Sequence, residues 1–143
     1  MTTTVPESPT ALSLLIADQI YQDCETGNHV IAGTFNTLYT PKVPFRYPHI
    51  SVFFQVTNIS SPVDLRIRLE HAEEGETIFE AGGPISANSP LHVHSQKMAL
   101  KNVQFKYEGK YWFQLLSSEE ILILAPLYII IKPASEAKEG EKP

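Results

Sequence analysis

The chain has 143 residues, of which 43% are hydrophobic, and a formal net charge of −5. This length fits one domain that can bury a core, and the hydrophobic content argues against general disorder. The acidic balance counts against sequence-independent binding to nucleic acid, which requires a basic surface.

The N-terminal region and the single cysteine set expectations for location. No lysine or arginine precedes Lys42, whereas signal peptides and organelle presequences need early positive charge. The apolar segment Ile121–Ile131 is shorter than the about 20 residues that a membrane-spanning helix needs. Cys24 is the only cysteine, so no internal disulfide can form. We therefore expect a cytoplasmic protein that binds neither membranes nor nucleic acid.

The first part of the chain is predicted to be a flexible arm followed by a β-hairpin. Residues 1–10 are polar and contain two prolines. Residues 11–21 fit a strand or a helix, because their apolar side chains recur with either period. The turn cluster at 23–28 and the β-branched and aromatic residues of 29–40 favour the strand. In that register Asp18 falls among apolar positions, and we expect its carboxylate to accept backbone N–H groups.

The same region resembles a family of small, uncharacterised bacterial proteins. The similarity is carried by I-A-D-Q-I-Y-Q-D at Ile16–Asp23, T-G at Thr26–Gly27 and V-I-A-G-T-F-N at Val30–Asn36. That family carries only a domain-of-unknown-function label. The resemblance implies a bacterial cytosolic β-sandwich-like protein and supplies no catalytic residues.

The middle of the chain is predicted to contain a stiff loop and several strands. Residues 39–49 include three prolines, which predict an extended, irregular crossing loop before a strand at 49–59. Residues 63–71 alternate aliphatic and charged side chains, as in a strand with one face on a core and one in water. A short strand at 77–81 is expected to be broken by Gly82-Gly83-Pro84. One or two strands should follow over 91–106.

The segment around Tyr111 carries the second informative motif. The pattern G-x-Y-x-F-x-L begins at Gly109 and looks like the penultimate strand of many immunoglobulin-like sandwiches. In those sandwiches a tyrosine near the strand start bonds back to the backbone and fixes a corner. We therefore expect Gly109 and Tyr111, like Asp18, to have structural roles.

The last strand, residues 121–132, is apolar on both faces, so it is either central or covered by a partner. Pro126 is expected to mark a bulge or a switch between sheets, because a proline inside a sheet loses a ladder bond. Residues 134–143 are predicted to be a flexible charged tail. Residues 11–133 are thus predicted to form a single all-β domain, an antiparallel, immunoglobulin-like β-sandwich of about eight or nine strands.

Two histidines are the candidates for a metal site. On a strand His92 and His94 would share a face and could bind a metal with a third ligand. The glutamate that cupin barrels place downstream is absent from residues 95–100, and two ligands are a weak signal. The alternative is that Leu91 and Val93 face the core and both histidines face water. We expect no metal or other cofactor, and a small-ligand or metal-binding β-barrel using His92 and His94 is the alternative function.

No catalytic residues are predicted. The sequence has no G-x-S-x-G elbow and no glycine-rich phosphate loop followed by lysine. Cys24 and His29 flank a turn, which does not hold a nucleophile and a base in contact. We therefore expect a protein that is not an enzyme.

The predicted function is a non-enzymatic protein-interaction or structural module. Tyr39, Phe45, Arg46 and Tyr47 concentrate aromatic and guanidinium groups on a proline-stiffened loop, a combination favoured at binding hot spots. The alternative is that these aromatic rings fold back and cover one end of the sandwich. In the last strand, Ile129 and Ile131 are candidates for contact with a protein partner or a second copy of the chain.

Overall fold

Nine strands make up the regular structure of residues 8–133, the part of the chain that the computed structural model describes. They are β1 (Thr10–Gln22), β2 (His29–Thr34), β3 (Thr37–Thr40), β4 (Phe45–Thr57), β5 (Val63–His71), β6 (Thr77–Ile85), β7 (His94–Phe105), β8 (Gly109–Ser117) and β9 (Glu120–Ile131). No helix in this part of the chain is long and apolar enough to cross a bilayer. The predicted arm and tail lie largely outside it, although Thr10 already belongs to β1.

The strands form a two-layer sandwich. One sheet has the order β2-β1-β4-β7 and the other has the order β3-β9-β8-β5-β6. Strands β4 and β7 pair in the first sheet, whereas β5 pairs with both β6 and β8 in the second. This division, with later strands crossing between layers, is that of an immunoglobulin-like sandwich. The predicted fold is therefore confirmed, with one correction: β3 runs parallel to β9.

The core lies between the two sheets and follows from alternation along the strands. In β5 the aliphatic side chains at 65, 67 and 69 are buried and the charged ones between them are not. The facing sheet contributes Ile50, Val52 and Phe54 from β4, all of which are buried in the same cluster. Each such side chain contributes about 1.5–3 kcal/mol relative to an exposed one. The period-two pattern of residues 63–71 thus correctly identifies the strand and its inner face.

A tyrosine corner anchors the start of β8. The Tyr111 hydroxyl donates to the backbone oxygen of Tyr107 at 2.8 Å and accepts the Tyr107 N–H at 3.1 Å. The ring is fully buried and packs edge-on against Phe105 and His71. Gly109 enters the strand with a φ of 116°, a conformation that favours glycine. The structure therefore shows the hydrogen bond that the G-x-Y motif predicts.

His71 supports the same corner from β5. Its Nδ1 accepts the N–H of Glu74 at 3.0 Å, so the ring proton belongs on Nε2. Nε2 lies 3.1 Å from the backbone oxygen of Glu108 and can donate to it. Together these bonds tie the β5–β6 turn to the residue that precedes β8.

The predicted strand at 29–40 is in fact two strands in different sheets. Strand β2 completes the hairpin with β1, and β3 crosses to pair with β9. Asp18 is half-buried in β1, and its carboxylate lies against Gly33 of β2, which has a φ of 76°. A side chain at Gly33 would collide with that carboxylate. The expected hydrogen bonding of Asp18 to backbone N–H groups remains a prediction.

The predicted crossing loop is much shorter than residues 39–49. Only residues 41–44 lie between β3 and β4, and the Val43–Pro44 peptide is cis. Phe45, Arg46 and Tyr47 belong to β4, and Pro48 is accommodated within that strand. The prolines thus shape the entry to a strand rather than an irregular loop.

Two further strand boundaries differ from the sequence predictions. Strand β6 continues through Gly82-Gly83-Pro84 to Ile85, because it is an edge strand and tolerates a proline. Gly82 is required there, since a Cβ would meet the carbonyl oxygen of Leu65. Strand β7 begins at His94 rather than at Leu91, so His92 lies in the preceding turn.

Replacing Tyr111 by phenylalanine should lower the free energy of unfolding by about 1–3 kcal/mol, because the Tyr107 backbone groups lose a buried partner. Urea denaturation measures this loss. The control is Tyr21→Phe, which removes a hydroxyl from a side chain that is 50% exposed and should change stability by less than about 0.5 kcal/mol. Equal losses in the two variants would contradict a structural role for the corner.

Candidate interaction surface

The outer face of the five-stranded sheet is built on β8. Tyr111, Phe113 and Leu115 point into the core. Because successive side chains alternate along a strand, those at 110, 112, 114 and 116 point away from the core. These four are Lys110, Trp112, Gln114 and Leu116. The central strand of this sheet therefore has two apolar side chains, Trp112 and Leu116, among the four on its outer face.

Strand β9 extends the same surface. Its register places Tyr128 beside Lys110, Pro126 beside Trp112, Leu124 beside Gln114 and Ile121 beside Leu116. We call this set the β8–β9 surface; its accessible members are Trp112, Ile121, Leu124, Pro126 and Tyr128, and Gln114 and Leu116 are buried among them. Leu124 and Ile121 are 43% and 47% exposed. An antiparallel sheet with one face in water normally carries polar groups at such positions, so the apolar side chains here form the candidate interaction surface.

Gln114 lies at the centre of the β8–β9 surface and is 6% exposed. Its Oε1 is buried and has no hydrogen-bond partner within the described residues. A buried acceptor without a partner costs about 1–3 kcal/mol. The amide can turn about its terminal torsion, which is soft. Gln114 is therefore a polar group whose hydrogen bonding the isolated domain leaves incomplete.

Two lysines lie over aromatic rings at one end of this sheet. The Lys110 ammonium is 3.9 Å from the centroid of the Trp112 ring and 5.7 Å from that of Tyr128. The Lys132 ammonium is 3.9 Å from the ring centroid of Tyr39. Cation–π contacts of this kind hold charge against an apolar surface. This end of the surface is therefore both aromatic and basic.

The neighbouring strands β5 and β6 present charges instead. Glu80 of β6 accepts from Arg66 at 2.8 Å and from Arg68 at 3.0 Å. Arg66 also lies 3.7 Å from Asp64, and Arg68 lies 3.6 Å from Glu119. The hydrogen bonds from Arg66 and Arg68 lower the pKa of the Glu80 carboxyl below its ordinary value of 4.5. The outer face of the sheet is thus divided into an apolar strip and a charged strip.

One edge of β9 is only partly covered. Strand β3 pairs with residues 128–131 of β9 and not with residues 120–127. The N–H of Tyr128 bonds to Asn36 on the β3 side, so the nitrogen of Pro126, two residues earlier, faces the same open side. The ladder between β8 and β9 is regular at Pro126, and the bulge lies between Leu115 and Leu116. The expectation of a bulge or sheet switch at Pro126 is therefore wrong, and its missing N–H falls on the open edge.

A polar cluster that the sequence did not reveal lies on the other sheet. His49 Nε2 is 2.8 Å from the Ser51 hydroxyl, and the Lys101 ammonium is 3.0 Å from His49 Nδ1. The cluster borders a cavity of about 390 Å³ that is also lined by Gln19 and Lys97. Sequence spacing gives no signal for it, because His49 and Lys101 meet only through the β4–β7 register.

The direction of the hydrogen bonds argues against a nucleophile in this cluster. Lys101 is a donor only, so His49 Nδ1 accepts and Nε2 carries the ring proton. His49 therefore donates to Ser51, whose hydroxyl in turn donates to the backbone oxygen of Asp18 at 3.4 Å. A general base must instead accept the serine proton. Ser51 is thus a hydrogen-bonded structural residue in this arrangement.

The predicted interaction residues are divided between surface and core. Phe45 and Tyr47 are buried, and the Phe45 ring stacks on Phe105 with centroids 6.1 Å apart. Ile129 is fully buried as well. Burial removes these three side chains from the accessible surface. Tyr39, Arg46 and Ile131 remain accessible, and Tyr39 lies on the same outer face as Tyr128.

The predicted histidine pair does not share a strand face. His92 lies in the turn before β7, where its backbone oxygen accepts from Thr57. His94 begins β7, and its Nε2 is 2.8 Å from Gln96 Oε1. Within residues 8–133 no three His, Cys, Asp or Glu side chains are grouped closely enough to hold a metal ion. Cys24 is exposed in its turn, and the His29 ring packs against Phe53.

These features define the class of protein: an immunoglobulin-like sandwich whose most distinctive outer surface is apolar. Among solved structures, an immunoglobulin-like protein from Pseudomonas aeruginosa matches with a TM-score of 0.48 and 9% identity, over 88% of this chain and 99% of that one. None of the curated proteins matches. The chain belongs to a family of unknown function (DUF6941), whose model matches residues 12–130. The resemblance drawn from residues 16–36 is therefore confirmed.

The lowered pKa of Glu80 predicts a pH-dependent contribution to stability. Because the folded pKa lies below the unfolded value near 4.5, the contribution is complete above that value and is lost as the pH falls through the folded pKa. Glu80→Gln should therefore lower the urea midpoint at neutral pH, and its difference from wild type should shrink in acid. Glu73→Gln, in an exposed turn, is the control. A difference that stays constant down to acid pH would contradict the ion pair's role.

Proposed function

We propose that this protein is a non-enzymatic interaction module that binds another protein through the β8–β9 surface. The observation that carries the proposal is the apolar stripe on the outer side of the second sheet, with Leu124 near its middle and Ile121 at one end. Strand β5, which pairs with β8 in the same sheet, carries charges at the equivalent positions. The stripe is therefore a local feature of β8 and β9, not a general property of the sheet.

The composition of the stripe suits protein contact. Aromatic residues are enriched in interface cores, and Trp112 and Tyr128 supply large rings on a rigid sheet. Held on strands, these side chains lose little conformational freedom on binding. The basic groups are restricted to Lys110 and Lys132 at one end, in a chain of net charge −5, which suits a protein partner better than nucleic acid.

Binding through the face is favoured over strand addition at the edge. An added strand would form main-chain hydrogen bonds along residues 120–127 of β9. Pro126 has no N–H to offer on that side. Edge prolines are one way in which proteins discourage such pairing. The proposed partner therefore rests on side chains of the β8–β9 surface.

The proposed module has no catalytic role and works in a reducing compartment. Lys101 donates to His49 and His49 donates to Ser51, so His49 does not accept the Ser51 proton. This arrangement supports a function without catalysis. A single exposed cysteine, Cys24, suits a reducing compartment such as the cytoplasm. The partner is then a soluble protein or a second copy of this chain.

Site-specific photo-crosslinking tests the proposal. With Leu124→p-benzoylphenylalanine in cells that express the chain, we expect a covalent adduct to a defined protein, identified by mass spectrometry. The matched control is Leu91→p-benzoylphenylalanine, because Leu91 is 89% exposed in the turn before β7, away from the surface. Adducts of equal yield and identity at both positions, or at neither, would count against binding through this surface.

A further inference from the structure

We propose that the occupant of the β8–β9 surface is a second copy of the chain, packed face to face about a two-fold axis that crosses the strands at Gln114. This inference rests on the proposed function and names its partner. It follows from three properties of the outer face: the separation of its apolar and charged strips, the order of charges along the strands, and the incomplete hydrogen bonding of Gln114.

The separation of the strips limits the orientation. Two sheets that meet face to face can be related by an axis along the strands or by one across them. An axis along β8 would place the apolar β9 of one copy on the charged β5 of the other, and an axis between β8 and β9 would place β8 on β9 but leave the charges of β5 opposite β3. An axis across the strands places β9 on β9 and β5 on β5. It therefore buries Leu124 and Pro126 against apolar groups and also brings the two charged strips together.

The order of charges agrees with this orientation. The strand registers align Glu70 with Trp112, Arg68 with Gln114, and Arg66 with Leu116. Residues aligned across neighbouring strands form a row. An axis through the row of Gln114 brings the row of Trp112 in one copy onto the row of Leu116 in the other. Glu70 of each copy then faces Arg66 of the other copy. Arg68 of one copy faces Arg68 of the other, but each Arg68 is already paired with Glu80 of its own chain.

The two ends of β8 are also complementary. Lys110 lies at the start of the strand, and Ser118 and Glu119 follow its end. The axis exchanges these ends, so Lys110 of one copy approaches Glu119 of the other. The Glu119 side chain is 80% exposed, so it can reach across. Such complementarity fixes the register of a contact and makes its strength depend on salt.

Gln114 supplies a self-complementary group at the axis. An amide has both N–H donors and an oxygen acceptor, so two Gln114 side chains related by a two-fold axis can bond reciprocally. Because Oε1 is buried, the pairing requires the amide to turn about its terminal torsion and present this oxygen outward, where the second copy would satisfy it. Leu124, in the same row, would meet Leu124 of the second copy.

The size of the surface indicates a reversible dimer. With the charged strip included, the contact spans β9, β8, β5 and β6. Four strands about 4.8 Å apart and seven residues at about 3.3 Å per residue give a flat footprint of at most roughly 450 Å². Stable interfaces bury about 800 Å² on each partner. The dimer should therefore depend on protein concentration.

Sedimentation velocity over a wide range of concentration, at low salt, tests the proposal. We expect wild type to shift from monomer to dimer, and Leu124→Asp to remain monomeric because it places two carboxylates at the axis. Leu91→Asp is the matched control and should dimerise as wild type does. Equal melting temperatures of the three proteins exclude unfolding as the cause, since both leucines are exposed.

A charge exchange tests the orientation. Lys110→Glu should weaken dimerisation roughly tenfold, because it creates two like-charge contacts. Adding Glu119→Lys to that variant restores both pairs by symmetry and should recover most of the affinity. A dimer unaffected by Leu124→Asp, or a double variant no tighter than Lys110→Glu alone, would overturn the proposal. A wild type that stays monomeric would also overturn it, whereas a Leu124 adduct with a different protein would leave the proposed function standing.

Discussion

The hydrogen bond between the Tyr111 hydroxyl and the Tyr107 backbone is the constraint on which the outer surface depends. A slip of one residue in a strand moves every side chain to the opposite face. Tyr111 is held at one end of β8 by its own corner and by the His71 ring, so β8 has only one register against β5 and β9. That register puts Phe113 in the core and Trp112 outside. The same bond that completes the fold therefore helps to decide which side chains lie on the outer face.

Strand β8 carries apolar side chains on both faces for two different reasons. Its inner side chains fill the space between the sheets, where burial stabilises the fold. On its outer face Leu116 is also buried, and Gln114 keeps an oxygen that has no partner within the described residues. Trp112 is half-buried at a position where a sheet face in water normally carries a polar group. In the proposed function, a partner covers that ring.

Much of the fold could be predicted from the sequence, because period-two alternation and turn residues are local signals. The strand at 63–71, the opening hairpin and the tyrosine corner all follow from such signals. The three prolines of residues 39–49 wrongly predict a loop for Phe45 and Tyr47, because β4 holds Pro48 within its span. The β8–β9 surface could not be predicted, since a strand apolar on both sides looks the same whether it is central or half uncovered. Only the register, which brings Leu124 beside Gln114, separates the two cases.

The short length of β3 decides how β9 can be used. Because β3 pairs with only four residues of β9, the rest of that edge of β9 has no paired strand. Pro126 faces that edge and interrupts its donors, while its ring adds apolar area to the outer face beside Trp112. One residue thus weakens main-chain pairing and strengthens side-chain packing at the same place. In the proposed dimer, the sandwich therefore associates through its face and not through its edge, so that contact stops at a second closed layer and does not propagate as an extended sheet.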